Sequence, residues 1–181
     1  KSYPISKTKG RFVRLSLPPG QTGFMTISEV EIFSGGSNVA RSGKATQSSV
    51  GYRSPAQKAI DGNKDGRFTS CSCSNSEKDA WWEIDLGAEF PIDHVLVFNR
   101  NDCCPERLDN VSVDILNTGR EVLATFNTGD APFRSAFKVN PKAPAPADNT
   151  PTRKVTLIGT NSIAALQFSG RSAGSLKSLK L

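Results

Sequence analysis

Residues 98–108, Phe-Asn-Arg-Asn-Asp-Cys-Cys-Pro-Glu-Arg-Leu, gather two arginines, Arg100 and Arg107, a carboxylate, Asp102, and two adjacent cysteines, Cys103 and Cys104. A guanidinium is a rigid fork of N–H donors, and a nearby carboxylate either accepts from the same ligand or fixes the arginine. This is the chemistry of a binding site. The four cysteines fall in two tight clusters, Cys71-Ser-Cys73 and Cys103-Cys104. Neither gap has the spacing of a zinc knuckle, so two local disulfides fit better, and they imply an oxidising compartment. A bridge between Cys103 and Cys104 would form a stiff apolar plate at the surface.

A second candidate is Ala59-Ile-Asp-Gly-Asn-Lys-Asp-Gly66. Its acid, amide and glycine density reads equally as a plain tight turn or as an oxygen cage for a hard cation. Trp81-Trp82 could be a sugar-stacking platform, although core is the stronger reading for Trp82. Catalytic patterns fail on context. Gly170-Arg-Ser-Ala-Gly174 has the spacing of a nucleophile elbow, but no helix follows and the single histidine, His94, precedes the serine. His94 alone in a strand reads as structural. The chain is read as a binding protein and not an enzyme.

The elements that must hold these residues are strands. Val95–Phe98 is an unbroken apolar run, read as a central strand, and Val111, Val113 and Ile115 alternate as a half-buried one. Residues 99–108 are therefore a loop between two strands, where a rigid β scaffold commonly carries function. Val13, Leu15 and Leu17, then Val30 and Ile32, alternate on either side of a Pro/Gly turn. Trp82, Ile84 and Leu86 face one way, while Val122, Ala124 and Phe126, then Phe137 and Val139, make further strands. No amphipathic helical period persists. The fold class is all-β, a mainly antiparallel β-sandwich.

With 181 residues and 36% apolar composition the chain can bury one sizeable core. We expect a tail over 1–10, one domain over 11–169 and a loose Ser/Lys-rich tail over 170–181. Within the domain, 11–33 carry the first strands, 37–140 the main body, 141–151 a Pro/Ala-rich connector and 152–169 the last strands. The net charge of +6 is spread along the chain, which argues against a nucleic-acid partner. No apolar run approaches a membrane span. The start at Lys1 without a signal-peptide pattern reads as a mature or excised fragment.

As a set, these segments resemble the F-type lectins, or fucolectins, a branch of the galactose-binding-like β-sandwiches that includes discoidin and coagulation-factor C-type domains. The matching stretches are Asn38–Ser49, Ala59–Asn63, Ser70-Cys71, Trp81–Gly87 and Asn99–Leu108, with Arg11-Phe-Val-Arg-Leu15 and Ile27-Ser-Glu-Val-Glu-Ile-Phe33 resembling strands that normally close the domain. The resemblance implies a jelly-roll fold, a glycan partner of fucose or galactose type, and an extracellular, cell-surface or periplasmic location. It places Arg100, Asp102 and Arg107 in the sugar motif, with Cys103-Cys104 as a vicinal disulfide packing on the sugar. The motif's histidine would stand 27 positions before Arg100, where this chain has Cys73.

The resemblance also implies a structural Ca²⁺, held by Asp61, Asn63, Ser70, the carbonyls of Lys58 and Ser28, and Glu29. Some relatives pair the first cysteine with a cysteine just before that glutamate. Here Ser28 takes that place, and Cys73 is the nearest substitute partner for Cys71. Strands that ordinarily end the domain come first, so a circularly permuted sandwich is favoured over the tail of a preceding domain. The rival function is a structural or adhesive module that has lost sugar binding with the histidine and contacts a protein partner in a larger extracellular assembly.

Overall fold

The computed structural model describes residues 9–131 and 133–139. The chain divides into two compact units, Lys1–Lys142 and Ala143–Leu181. The expected connector at 141–151, the strands at 152–169 and both tails lie outside the described residues.

The described residues form thirteen strands: β1 Lys9–Ser16, β2 Thr22–Gly23, β3 Thr26–Ile27, β4 Glu29–Ser34, β5 Ser37–Asn38, β6 Lys44–Gln47, β7 Ser72–Cys73, β8 Glu77–Lys78, β9 Trp81–Pro91, β10 His94–Phe98, β11 Ser112–Leu116, β12 Val122–Asn127 and β13 Arg134–Lys138. A five-stranded sheet runs β12-β11-β1-β9-β6 and a four-stranded sheet β13-β10-β4-β5. Their pairings are antiparallel. Two short ladders, β2-β8 and β3-β7, stand beside them. The fold is an all-β sandwich.

Alternation sets which face is buried. In β1, Val13 and Leu15 enter the core; in β9, Trp82, Ile84 and Leu86 do. Register puts Val13 opposite Ile84 and Leu15 opposite Trp82, so their side chains form one layer. From the other sheet Val30 and Ile32 of β4 and Val95 and Val97 of β10 meet them. Each such side chain contributes about 1.5–3 kcal/mol of burial. The indole N–H of Trp82 donates to the Ala56 carbonyl at 3.0 Å, which satisfies its polar atom inside the core. Trp82 is thus core. Trp81 lies on the opposite face of the sheet under the Arg14 guanidinium, 4.3 Å from ring centre to Cζ.

That outer face carries a charge lattice. Buried Glu83 accepts from Arg120 at 3.0 Å twice and from Arg14 at 3.5 Å. Arg11 forks onto Asp85 at 2.8 and 2.9 Å. Arg11 and Arg120 also cover Phe12. A carboxylate covered on both sides by guanidinium groups is tolerated at low exposure because its charge is matched.

Strands from the first 34 residues occupy interior places in both sheets. β1 lies between β9 and β11, and β4 between β10 and β5. The start of β4 and the residue before it place Glu29 and Ser28 next to the end of β10, where Ser28 N–H donates to the Phe98 carbonyl at 2.9 Å.

Candidate functional site

The loop after β10 is closed on itself by Asn99. This buried side chain donates to the Pro105 carbonyl at 2.7 Å and accepts the Arg100 N–H at 2.8 Å, while its backbone N–H donates to the Phe133 carbonyl. Cys103 and Cys104 form a disulfide, with Cys103 exposed. Cys104 takes a left-handed backbone, φ 56°, from which a 3-10 turn over Pro105–Leu108 starts. Buried Leu108 anchors that turn and leaves Arg107 half-buried beside the disulfide.

Arg100 is buried, and its Nε donates to Asp102 Oδ1 at 2.7 Å. The other Asp102 oxygen accepts the Phe68 N–H at 3.0 Å. The Phe68 N–H, then the Arg100 guanidinium, hold the Asp102 carboxyl below the usual carboxylate range. Arg100 also lies 4.6 Å over the Phe68 ring. Arg107 donates to Thr26 Oγ1 at 3.3 Å and lies 4.4 Å over the Phe24 ring. Each arginine is therefore backed by an aromatic face, which fixes the fork's direction without using up its N–H donors.

Cys73 does not join this surface. It has no exposed area, and its Sγ sits 3.4 Å from Thr26 Oγ1. The turn 51–54 covers it through Gly51 N–H to the Cys73 carbonyl at 2.8 Å and Cys73 N–H to the Ser54 carbonyl at 3.1 Å. The expected contact between Cys73 and a ligand is closed by burial. The expected Cys71–Cys73 bridge is also absent, since both are free buried thiols. Two residues of extended backbone span about 6.6 Å, the far limit for a bridge. The Cys71 thiol instead donates to the Arg67 carbonyl at 3.2 Å, and burial pushes its pKa up to about 11.

The turn at 61–70 folds against the start of β4. Glu29 is fully buried; one oxygen accepts the Gly62 N–H at 2.9 Å, and the other has no partner. Burial lifts its carboxyl to about 7. The buried Ser28 hydroxyl likewise has no regular hydrogen-bond partner, its one polar influence being on the Cys71 thiol. Asp61 and Asn63 accept backbone N–H groups two residues on, and Asn63 and Ser70 meet at 3.1 Å. Lys58 donates its ammonium to the Thr69 carbonyl at 2.6 Å. Among the described residues no three His, Cys, Asp or Glu side chains converge on one point. An ion here would need amide, hydroxyl and carbonyl oxygens beside Glu29, which is a donor set suited to a hard cation. An orphaned buried carboxylate oxygen facing an oxygen-rich turn fits that requirement.

The two loops are laced together. Asn101 N–H donates to the Gly66 carbonyl at 2.8 Å, and its side chain to the Asp65 carbonyl at 3.0 Å. Gly66 has φ +73°, and a Cβ there would meet the Asn101 side chain at 2.6 Å and Phe133 at 2.7 Å. Asp65, whose oxygens accept from Arg67 N–H and Ser70 Oγ, belongs to the turn, inside the Ala59–Gly66 stretch picked out in the sequence but outside the residues expected to hold the ion. Phe24, Thr26, Tyr52, Phe68 and Asn99 are the other contributors missed in sequence. Only Asn99 carried a signal, as an amide directly after a buried strand.

His94 stacks on Phe33 at 4.5 Å across the β4–β10 pair, a structural contact. Gly170–Gly174 lies outside the described residues. No helix among the described residues is long and apolar enough to cross a membrane.

Known proteins are similar to parts of this chain in sequence and in structure. The chain is 42% identical over 85 residues to a fucolectin of Anguilla anguilla, covering 43% of this chain and 54% of the fucolectin. It therefore spans about half the length of the curated relatives it matches. A fucose binding module of Streptococcus pneumoniae superposes with a TM-score of 0.55 at 29% identity, over 59% of this chain and 78% of that one. The lectin domain of lectinolysin, solved with Lewis B antigen, superposes with a TM-score of 0.54 at 32% identity, over 56% of this chain and 76% of that one. Residues 58–172 match the family described as NedA-like, galactose-binding domain. The chain belongs to that family.

Proposed function

We propose that this chain is a non-catalytic carbohydrate-binding module for fucose-type or related glycans, working in an extracellular setting. The observation that carries the reading is the pair of arginines, Arg100 locked by Asp102 at 2.7 Å and Arg107, whose backbone N–H donates to the Cys104 carbonyl at 3.3 Å, beside a disulfide with exposed Cys103. Guanidinium donors suit sugar ring and hydroxyl oxygens, and an apolar plate suits the C–H face of a pyranose. The fucose-binding neighbours and the fucolectin relative support the ligand class. A surface disulfide supports an oxidising location.

The reading extends to a structural Ca²⁺ held by Glu29, Asp61, Asn63 and Ser70, with the carbonyls of Ser28 and Lys58. The ion would supply charge to the orphaned Glu29 oxygen and stiffen the turn that Asn101 grips. It would not touch the sugar.

A glycan array read for wild type and Arg100→Ala tests the sugar reading. Binding to fucosylated glycans should fall at least tenfold in the variant, because a buried charge-assisted donor is lost. Wild type with no arginine-dependent hit would leave the second reading, a protein-contact module. The observation that favours that second reading is the burial of Cys73 where a histidine would face the ligand.

A further inference from the structure

We infer that Tyr52 is the aromatic platform of the sugar site and supplies the wall that Cys73 does not. This rests on the carbohydrate reading above. Cys73 lies beneath the turn 51–54, so whatever that turn projects outward replaces Cys73 as the surface a ligand meets. The turn is seated closely: a Cβ at Gly51 would collide with the Ser74 carbonyl. What it projects is Tyr52, 66% exposed.

Tyr52 belongs to the same wall as the arginines. Its ring centre lies 5.8 Å from that of Phe24, the ring that backs Arg107. It lies 5.5 Å edge-on from Phe68, the ring that backs Arg100. The three rings form an arch spanning the two guanidinium groups; its middle member is exposed, while Phe24 and Phe68 are half-buried. Val50, 55% exposed, continues the apolar surface.

The backbone at this position is also costly. Tyr52 and Arg53 are consecutive left-handed residues, φ 51° and 57°, a conformation that bulky L-residues avoid. A chain selected for stability alone would place glycine or asparagine there. An exposed aromatic ring held out by a strained turn, beside two ordered N–H forks, is suited to the flat C–H face of a pyranose. With Trp82 in the core and Trp81 under Arg14, the exposed ring on this side of the fold is Tyr52, on the loop between β6 and β7.

The test is titration calorimetry of the whole chain with Lewis b tetrasaccharide, alongside thermal melts, for wild type, Arg100→Ala, Tyr52→Phe, Tyr52→Ala and Tyr52→Gly. Tyr52→Phe should stay within about threefold of wild-type affinity, and Tyr52→Ala should lose about tenfold or more, a size typical of one lost stacking contact. Tyr52→Gly should lose as much affinity while its Tm is equal to or above wild type, because glycine relaxes the left-handed turn. A merely structural ring would lower Tm along with binding. Arginine-dependent binding that Tyr52→Ala leaves within twofold overturns this inference and keeps the lectin reading. Wild type that binds neither this glycan nor any fucosylated array member overturns both.

Discussion

Glu29 is where burial and chemistry meet most sharply. Its carboxyl is fully buried with one oxygen unpartnered, and its pKa rises to about 7 from an ordinary value of 4.5. The folded chain therefore holds a proton there that the unfolded chain releases between pH 4.5 and 7. Stability follows the difference in bound protons, so it falls as pH rises through this window when no cation is present. The full effect of such a shift is about 3 kcal/mol. Melts in chelator at pH 4.5 and pH 7.5 should show the higher Tm at the lower pH, within the tolerance of the remaining carboxylates. Calcium at pH 7.5 should raise Tm by supplying the missing partner, and Glu29→Gln should flatten both responses. A Tm in calcium equal to that in chelator would remove the ion from the turn.

At the scale of elements, the β3–β7 register, Thr26 opposite Cys73 and Ile27 opposite Ser72, continues to bring Ser28 and Cys71 to facing positions. The Ser28 hydroxyl, buried without a regular partner, influences the Cys71 thiol across this junction. Ser28→Cys should oxidise with Cys71 and close a loop of some forty residues, raising stability by up to about 4 kcal/mol. Mass spectrometry under non-reducing conditions would detect the bond, and a melt with and without reductant would measure it. A variant that keeps two free thiols there under oxidising conditions would show that the junction geometry is wrong. The same junction explains what the sequence could not show. Cys71 and Cys73 are neighbours in the chain, yet Cys71 faces Arg67 and Ser28, whereas Cys73 faces Thr26. Alternation made Val13, Leu15, Trp82, Ile84 and Leu86 readable as core, because period-two patterning is a local signal. Arg100, Asp102 and the vicinal cysteines were readable as a site because they lie within one loop. Phe24, Tyr52 and Phe68 were not, since they come from three separate loops and meet only through the β3–β7 ladder and the turn upon it.

For the molecule as a whole, the notable feature is the distance in sequence between the matched family segment and the strands that complete its sheets. The family match begins at residue 58, but β1 and β4 lie before residue 35 and hold interior places, each hydrogen-bonded on both edges. Val13, Leu15, Val30 and Ile32 are all fully buried core members, and Glu29 arrives on the same strand. A fragment of residues 37–181 would keep the loop at 99–108 and the turn at 61–70 while opening two unpaired strand edges in each sheet and emptying the centre of the core. Lost burial of about 2 kcal/mol for each of several large aliphatic side chains exceeds the typical 5–15 kcal/mol of a domain when the lost ladder bonds are added. We expect this fragment to show no cooperative melt by circular dichroism, and mixing it with a synthetic 9–34 peptide to restore one. If the fragment melts cooperatively by itself, some other part of the chain fills the places of β1 and β4, and residues 152–169, expected from the sequence to carry the last strands, are the segment to delete next. A cooperative melt that survives that deletion too would separate the sandwich from its first 34 residues altogether.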